Sequence, residues 1–197
     1  YLLTQEDARS LSVSSASVDY VFADPPYGDT VPYFEQSVIW NAWRGAHVDY
    51  QAEVVVSDSK AREKTISRYA EDIDRMIVEV FRILKPKGMF SLTFHSLCGL
   101  EWNSLTNACI RAGFELHKLE WLKQKSFSVR QLNRRMTVKG DLLLTFMKPA
   151  NARVFQALSP EETTGFYRSA IDGIIGEGVT DTNGIFIAVV EAVYRRR

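Results

Sequence analysis

A chain of 197 residues, 46% of them hydrophobic, suits one domain, or one domain with a small appendage, and can bury a real core. Its 24 basic and 24 acidic residues cancel, which excludes a global field that attracts polyanions; nucleic-acid contact must come from a local basic patch. No apolar run approaches a membrane span, and the two cysteines, Cys98 and Cys109, fit neither a disulfide framework nor a zinc spacing, so buried thiols in a reducing, cytoplasmic setting and no metal site are expected.

The chain opens on Tyr1-Leu2-Leu3-Thr4, which is neither an initiator methionine nor a signal peptide, and is expected to begin part-way through a longer protein. Thr4 to Arg9, with the acids Glu6 and Asp7, precede a serine-rich linker over 10–17. Val18 to Ala23 then has the length and the β-branched and aromatic content of a buried strand. It ends abruptly in Asp24-Pro25-Pro26-Tyr27-Gly28. Each proline fixes its own φ, lacks an N–H and pushes the residue before it out of the helical region, so the chain leaves the sheet as a stiff, extended turn. That turn holds a carboxylate and an aromatic ring at the carboxyl end of a strand, where open α/β sheets put their ligands. Asp24 and the carbonyl of Pro25 offer two acceptors to an exocyclic amine, and Tyr27 offers a ring face to a heterocycle, which is what a flipped-out nucleobase requires.

Here the sequence resembles the amino-methyltransferases of DNA, whose signature is Asp-Pro-Pro-Tyr at the end of a strand. The resemblance covers roughly 6–149, the catalytic half of that family. It implies transfer of a methyl group from S-adenosylmethionine to an exocyclic amine, and the Asp form of the motif goes mostly with N6 of adenine. Asp24, Pro25, Pro26 and Tyr27 are then the catalytic turn. An acid just before the turn strand contacts the adenosyl group in that family; Asp7 is the carried-over residue, with Glu6 as fallback, and Asp24 also lies against the cofactor. The implied fold is a partial Rossmann-like class I methyltransferase, α/β with a mixed sheet. About four strands are legible, fewer than the seven of a complete fold of the family.

Downstream of the turn, an aromatic-rich segment reads as helical from about Tyr33 or Phe34 to Trp43. Tyr33 and Phe34, nearest the turn, are candidates for the base pocket, whereas Trp40 and Trp43 read as core. Residues 45–64 form a long loop, of the kind that is often functional or mobile. Ile66, Tyr69, Ile73, Met76, Ile77, Val80, Phe81 and Leu84 recur at three- and four-residue intervals, which predicts an amphipathic helix over about 65–84, stopped at Lys85-Pro86-Lys87-Gly88. Met89 to Phe94 reads as the next buried strand, beside the first and parallel to it by the right-handed crossover rule. His95 ends it at the same edge as Asp24, either as a substrate contact or as a strand-end residue satisfied by backbone.

A helix over 100–112 closed by Gly113, a strand over 114–122 and another over 141–149, paired antiparallel as an edge hairpin, complete the sheet. Between those strands, 123–139 carries six basic residues and no acid. Lys123, Lys125, Arg130, Arg134 and Arg135 are candidate phosphate contacts, with Gln131 and Asn133 able to meet bases or sugars. Ser159-Pro160-Glu161-Glu162 is a capping box that opens a helix to about Ile175, and a final helix runs from Thr180 or Asp181 toward Tyr194. The division expected is a catalytic portion over 1–150 and a helical extension over 151–197.

The resembling family also carries a glycine-rich strand-to-helix loop that cradles the cofactor. Gly173 to Gly178 has the glycines but follows a helical pattern, so it is not read as that loop. The cradle is expected on a preceding segment or on a partner chain, and this chain alone is expected to bind the cofactor weakly or not at all. The partner polymer is expected to be DNA, although the basic stretch and long loop suit RNA equally. The alternative readings are an RNA guanine-N2 methyltransferase and a non-catalytic nucleic-acid-binding subunit.

Overall fold

The computed structural model describes residues 1–29, 31–95, 100–123, 140–151 and 160–195. The strands are β1 (Val18–Ala23), β2 (Leu84–Phe94), β3 (Glu115–Leu122) and β4 (Asp141–Met147). The helices are α1 (Tyr33–Gln36), α2 (Val38–Trp43), α3 (Ile66–Ile83), α4 (Leu100–Ala112), α5 (Pro160–Gly176) and α6 (Thr182–Arg195), with a short 3-10 turn at Lys60–Arg62. The architecture is α/β, with one four-stranded mixed sheet in the order β1-β2-β4-β3. β1 pairs parallel with β2, and β4 runs antiparallel to both β2 and β3.

The α3 helix follows directly from its sequence. Thr65, in extended geometry, accepts the Arg68 N–H as N-cap (3.2 Å), and the predicted stripe buries Tyr69, Ile73, Met76, Ile77 and Val80. Each such side chain contributes roughly 1.5–3 kcal/mol on burial. At the other end, the Lys148 ammonium donates to the carbonyls of Phe81 (2.6 Å) and Leu84 (2.7 Å), which satisfies two of the helix's last acceptors and ties β4 to it. Desolvation lowers the pKa of that ammonium.

One face of the sheet carries Phe90, Leu92, Phe94, Leu142, Leu144 and Phe146, all fully buried in one core with residues of α3, α4 and α6. Phe114 joins Phe81, Phe90 and Phe146 at ring separations of 5.0, 5.4 and 5.9 Å. The last helix docks into the same core through Phe186 against Trp102 (5.3 Å) and Tyr194 against Phe146 (5.2 Å). Cys109 is a buried thiol in this core, whereas Cys98 lies outside the described residues.

Several expectations are corrected. Among the described residues β1 is not a buried strand but one edge of the sheet, and although Val21 and Ala23 pack on the core, Tyr20 and Phe22 are 54% and 58% exposed on the other face. The Lys85-Pro86-Lys87-Gly88 stretch does not separate helix from strand. Leu84 already pairs with Val18, and an irregularity absorbs the proline before Tyr20 meets Met89. The edge hairpin is as expected, β3 and β4 pairing antiparallel at the end of the sheet opposite β1, with β4 joining it to β2. The aromatic helix is broken at Ser37 into α1 and α2, and Trp40 and Trp43 are not core but 63% and 75% exposed.

Candidate active site

The turn after β1 is placed by strand register. Ala23 is level with Leu92 of β2, so the next step brings Asp24 beside Thr93. Thr93 Oγ1 donates to Asp24 Oδ1 at 2.7 Å, and the Tyr27 hydroxyl donates to the same oxygen. The two hydroxyl oxygens are themselves 3.3 Å apart. Oδ1 is thus occupied twice, and no donor among the described residues meets Oδ2. Asp24 is exposed, which leaves Oδ2 able to accept from a ligand.

Tyr27 is engaged more than the sequence implied. Its ring is half-buried and edge-on to Phe94 at 5.4 Å, and 6.5 Å from the His95 ring. Burial first, and then the adjacent Asp24 carboxylate, push the phenol well above its usual pKa, which keeps it a proton donor. It therefore orients the carboxylate.

The rest of the turn is locked from below. The hydroxyl of buried Tyr69 on α3 donates to the carbonyl of Pro26 (2.7 Å), while no donor among the described residues meets that of Pro25. Gly28 has φ of +67°, and a Cβ there would fall 2.5 Å from Cγ of the buried Glu101 on α4, so only glycine fits. The Val56 N–H donates to the Gly28 carbonyl (3.2 Å). Residues 45–64 are accordingly pinned beside the turn. Buried Lys64 donates to the carbonyls of Gln51 (2.5 Å) and Glu53 (2.6 Å), and the Glu53 carboxylate accepts the Phe34 N–H (3.1 Å). Desolvation lowers the pKa of Lys64.

The remaining predicted residues separate. His95 has the backbone partner of its second reading: it is buried, and Nδ1 donates to the Gly140 carbonyl (3.0 Å) beside Asp141 Oδ1 (3.3 Å). The cause is again register, since Phe94 opposite Leu142 brings His95 to Asp141. Asp7 is not an open carboxylate. Arg9 binds it (2.7 Å) and also the buried Asp72 of α3 (2.7 Å), and the hydrogen bonds from Arg9 hold Asp7 at a pKa of about 2. Glu6, the fallback, accepts from the N–H and hydroxyl of Ser12 (2.6 and 2.8 Å). Tyr33 and Phe34 lie on α1 beside the turn; Tyr33 is exposed, and Phe34 packs edge-on to Tyr50 at 6.2 Å. Lys123 is exposed just past β3, whose end is level with Asp141. Lys125, Arg130, Arg134 and Arg135 lie outside the described residues.

Thr93, Tyr69 and Glu101 are the residues that sequence reasoning missed. Gly173 and Gly176 lie within α5, in agreement with the helical reading of that stretch. No helix among the described residues is long and apolar enough to cross a membrane.

No protein-family profile matches the chain, and no curated protein matches it. Solved structures do. TTHA0409 of Thermus thermophilus, described as a candidate DNA modification methylase, is 17% identical with a TM-score of 0.44 over 82% of this chain and 58% of its own. PvuII DNA methyltransferase, cytosine-N4-specific, is 13% identical with a TM-score of 0.44 over 84% of this chain and 58% of its own. A SAM-dependent methyltransferase from Methanosarcina mazei is 15% identical with a TM-score of 0.41 over 74% and 66%. The chain thus spans 58% of the length of the first of these. At such identities and scores the likeness decides nothing about function, which rests on the site itself.

Proposed function

We propose that this chain is the catalytic portion of an S-adenosylmethionine-dependent methyltransferase that acts on the exocyclic amine of a nucleobase in DNA, N6 of adenine being the amine the Asp-Pro-Pro-Tyr form favours. The observation that carries the reading is the exposed acceptor at the end of β1. Asp24 Oδ2 is met by no donor among the described residues, and the second acceptor is the carbonyl of Pro25, itself a buried residue, on a turn that Tyr69 and Gly28 hold rigid. Two acceptors so placed orient an N–H₂ group and draw density along its N–H bonds, so the nitrogen lone pair is aimed instead of delocalised into the base. Orientation and preorganised charge, not proton transfer, are the levers this geometry supplies.

The cofactor, when bound, supplies an electrophilic methyl on sulfur. The described residues fit the amine half of the reaction and not the cofactor half. Asp7 is spent on Arg9, and Gly173 and Gly176 are helical instead of forming a cradle. We therefore derive no step through the cofactor, and assign its cradle to a further segment or partner chain. Asp24→Asn, in the chain together with whatever completes that cradle, removes the charge but keeps the shape. Methyl transfer to duplex DNA should fall by at least about a hundredfold, the scale on which one preorganised electrostatic group acts, with thermal stability unchanged. Full activity in that variant would exclude Asp24 from this role.

A further inference from the structure

One guanidinium joins three parts of the chain around the turn. The Arg9 side chain is only 9% exposed and donates in three directions. Nε and Nη2 grip the Asp7 carboxylate (2.9 and 2.7 Å), and Nη1 donates to Oδ1 of the buried Asp72 on α3 (2.7 Å). Nη2 also donates to the Ala52 carbonyl of the long loop (3.0 Å). A planar fork with its N–H groups in fixed directions serves two carboxylates and a carbonyl at once. A lysine head, a compact charge on a flexible stem, carries the charge without that geometry.

Both elements that Arg9 holds end beneath the Asp24 turn. Tyr69 lies one helical turn before Asp72 on α3, both are buried, and the Tyr69 hydroxyl donates to the Pro26 carbonyl (2.7 Å). Just past Ala52 in the loop, the Glu53 carboxylate takes the Phe34 N–H (3.1 Å) and the Val56 N–H donates to the Gly28 carbonyl (3.2 Å). The turn thus has two props, one from α3 and one from the loop, and Arg9 is bonded to the element that carries each. Separate props could drift apart, whereas a shared and largely covered guanidinium fixes their spacing. Arg68 Nε lies 3.7 Å from the other oxygen of Asp72, so that buried carboxylate keeps a cation when Arg9 is changed.

We infer that Arg9 is a positioning residue of the site: it sets the spacing of the two props and thereby aims the Asp24 and Pro25 acceptors. The inference rests on the nucleobase reading of the turn, and it adds a residue that acts on the acceptors only through other residues. Two variants test it. Arg9→Lys keeps the charge and loses the fork, and Arg9→Met loses both. Hydrogen exchange is followed residue by residue in the chain, and methyl transfer to duplex DNA in the chain together with whatever completes the cofactor cradle.

In both variants the Val56 amide should exchange at least about tenfold faster while the amides of β2 and β4 keep their parental rates. kcat should fall at least about tenfold with KM for DNA little changed, because what is lost is alignment at the reacting group. Parental exchange at Val56 in the lysine variant would show that charge alone suffices; the inference then falls while the reading of Asp24 stands. Equal acceleration in β2 and β4 would make Arg9 a prop of the whole fold and overturn the inference. Faster exchange at Val56 with parental kcat would overturn it too, since the acceptors would not depend on the tie. A parent that transfers no methyl group to DNA removes the nucleobase reading, and the inference with it.

Discussion

Thr93 and Asp24 are 69 residues apart in the chain, yet the hydroxyl of one sits 2.7 Å from a carboxylate oxygen of the other. The parallel register of β1 on β2 makes this contact, and it decides which oxygen of Asp24 is left for a ligand. Thr93→Val keeps the volume and deletes the hydroxyl, whereas Thr93→Ser keeps the hydroxyl. A hydrogen bond to a charged acceptor is worth about 1.5–3 kcal/mol, so the valine variant should lose roughly ten- to a hundredfold in kcat. KM should be little changed and the serine variant close to the parent. A valine variant with parental kcat would show that Thr93 does not position Asp24.

Tyr69→Phe should act on the turn from beneath. The phenol is fully buried and donates to the Pro26 carbonyl at 2.7 Å. Its removal strands a part-buried acceptor, which costs about 1–3 kcal/mol. Urea denaturation should read that loss as a lower midpoint with unchanged slope. An unchanged midpoint would mean that water replaces the hydroxyl and the turn needs no prop.

Acid should loosen the leading segment before the rest. Hydrogen bonds from Arg9 hold Asp7 at about 2, and hydrogen bonds from Arg82 and then from the Leu11 N–H hold Glu79 at about 2. Both folded values lie below the ordinary carboxylate range, so the stabilisation is present above that range and is lost as pH falls from about 4.5 toward about 2. Asp7 is half exposed whereas Glu79 is largely covered, so added salt should shrink the Asp7 part of the effect more. Hydrogen exchange of residues 7–12, followed from about pH 5 to about pH 2.5, should accelerate in the parent more than in Asp7→Asn. Equal acceleration in the two would remove Asp7 from the effect.

Lys64→Met should free the segment that frames the turn. The ammonium is buried and bridges two carbonyls of 51–53, so the apolar substitute leaves both unsatisfied. Limited proteolysis within 45–60 should become markedly faster while the melting temperature of the core falls by only a few degrees. Unaltered cleavage would show that Val55 and the Arg9 contact to Ala52 (3.0 Å) suffice to hold it.

Much of the frame was legible because it is written locally. The α3 stripe, the strand pair around it and the Asp-Pro-Pro-Tyr turn each announce themselves through periodicity or through the fixed φ of proline. What was not legible depends on register or on which side of an element is covered. Thr93 and His95 are both polar residues at one strand end, and only pairing shows that one meets Asp24 and the other Gly140. Trp40 and Trp43 have the spacing of a core stripe, but periodicity does not say whether anything packs against it. The engagement of Asp7 was hidden because its partner Arg9 is joined to Asp72 across 63 residues of chain.

Among the described residues, the strand that ends in Asp24 is gripped by the sheet along one flank only. A slip of β1 by a single residue would exchange Val21 for Phe22 against the core and swing the carboxylate to the opposite side of the pleat, out of reach of Thr93. The short bond between those two side chains is thus a built-in gauge of alignment. Any event that shifts this strand, whether heat, a substitution or a segment laid along its other flank, would be felt at the Asp24 carboxylate before it was felt in the hydrophobic interior.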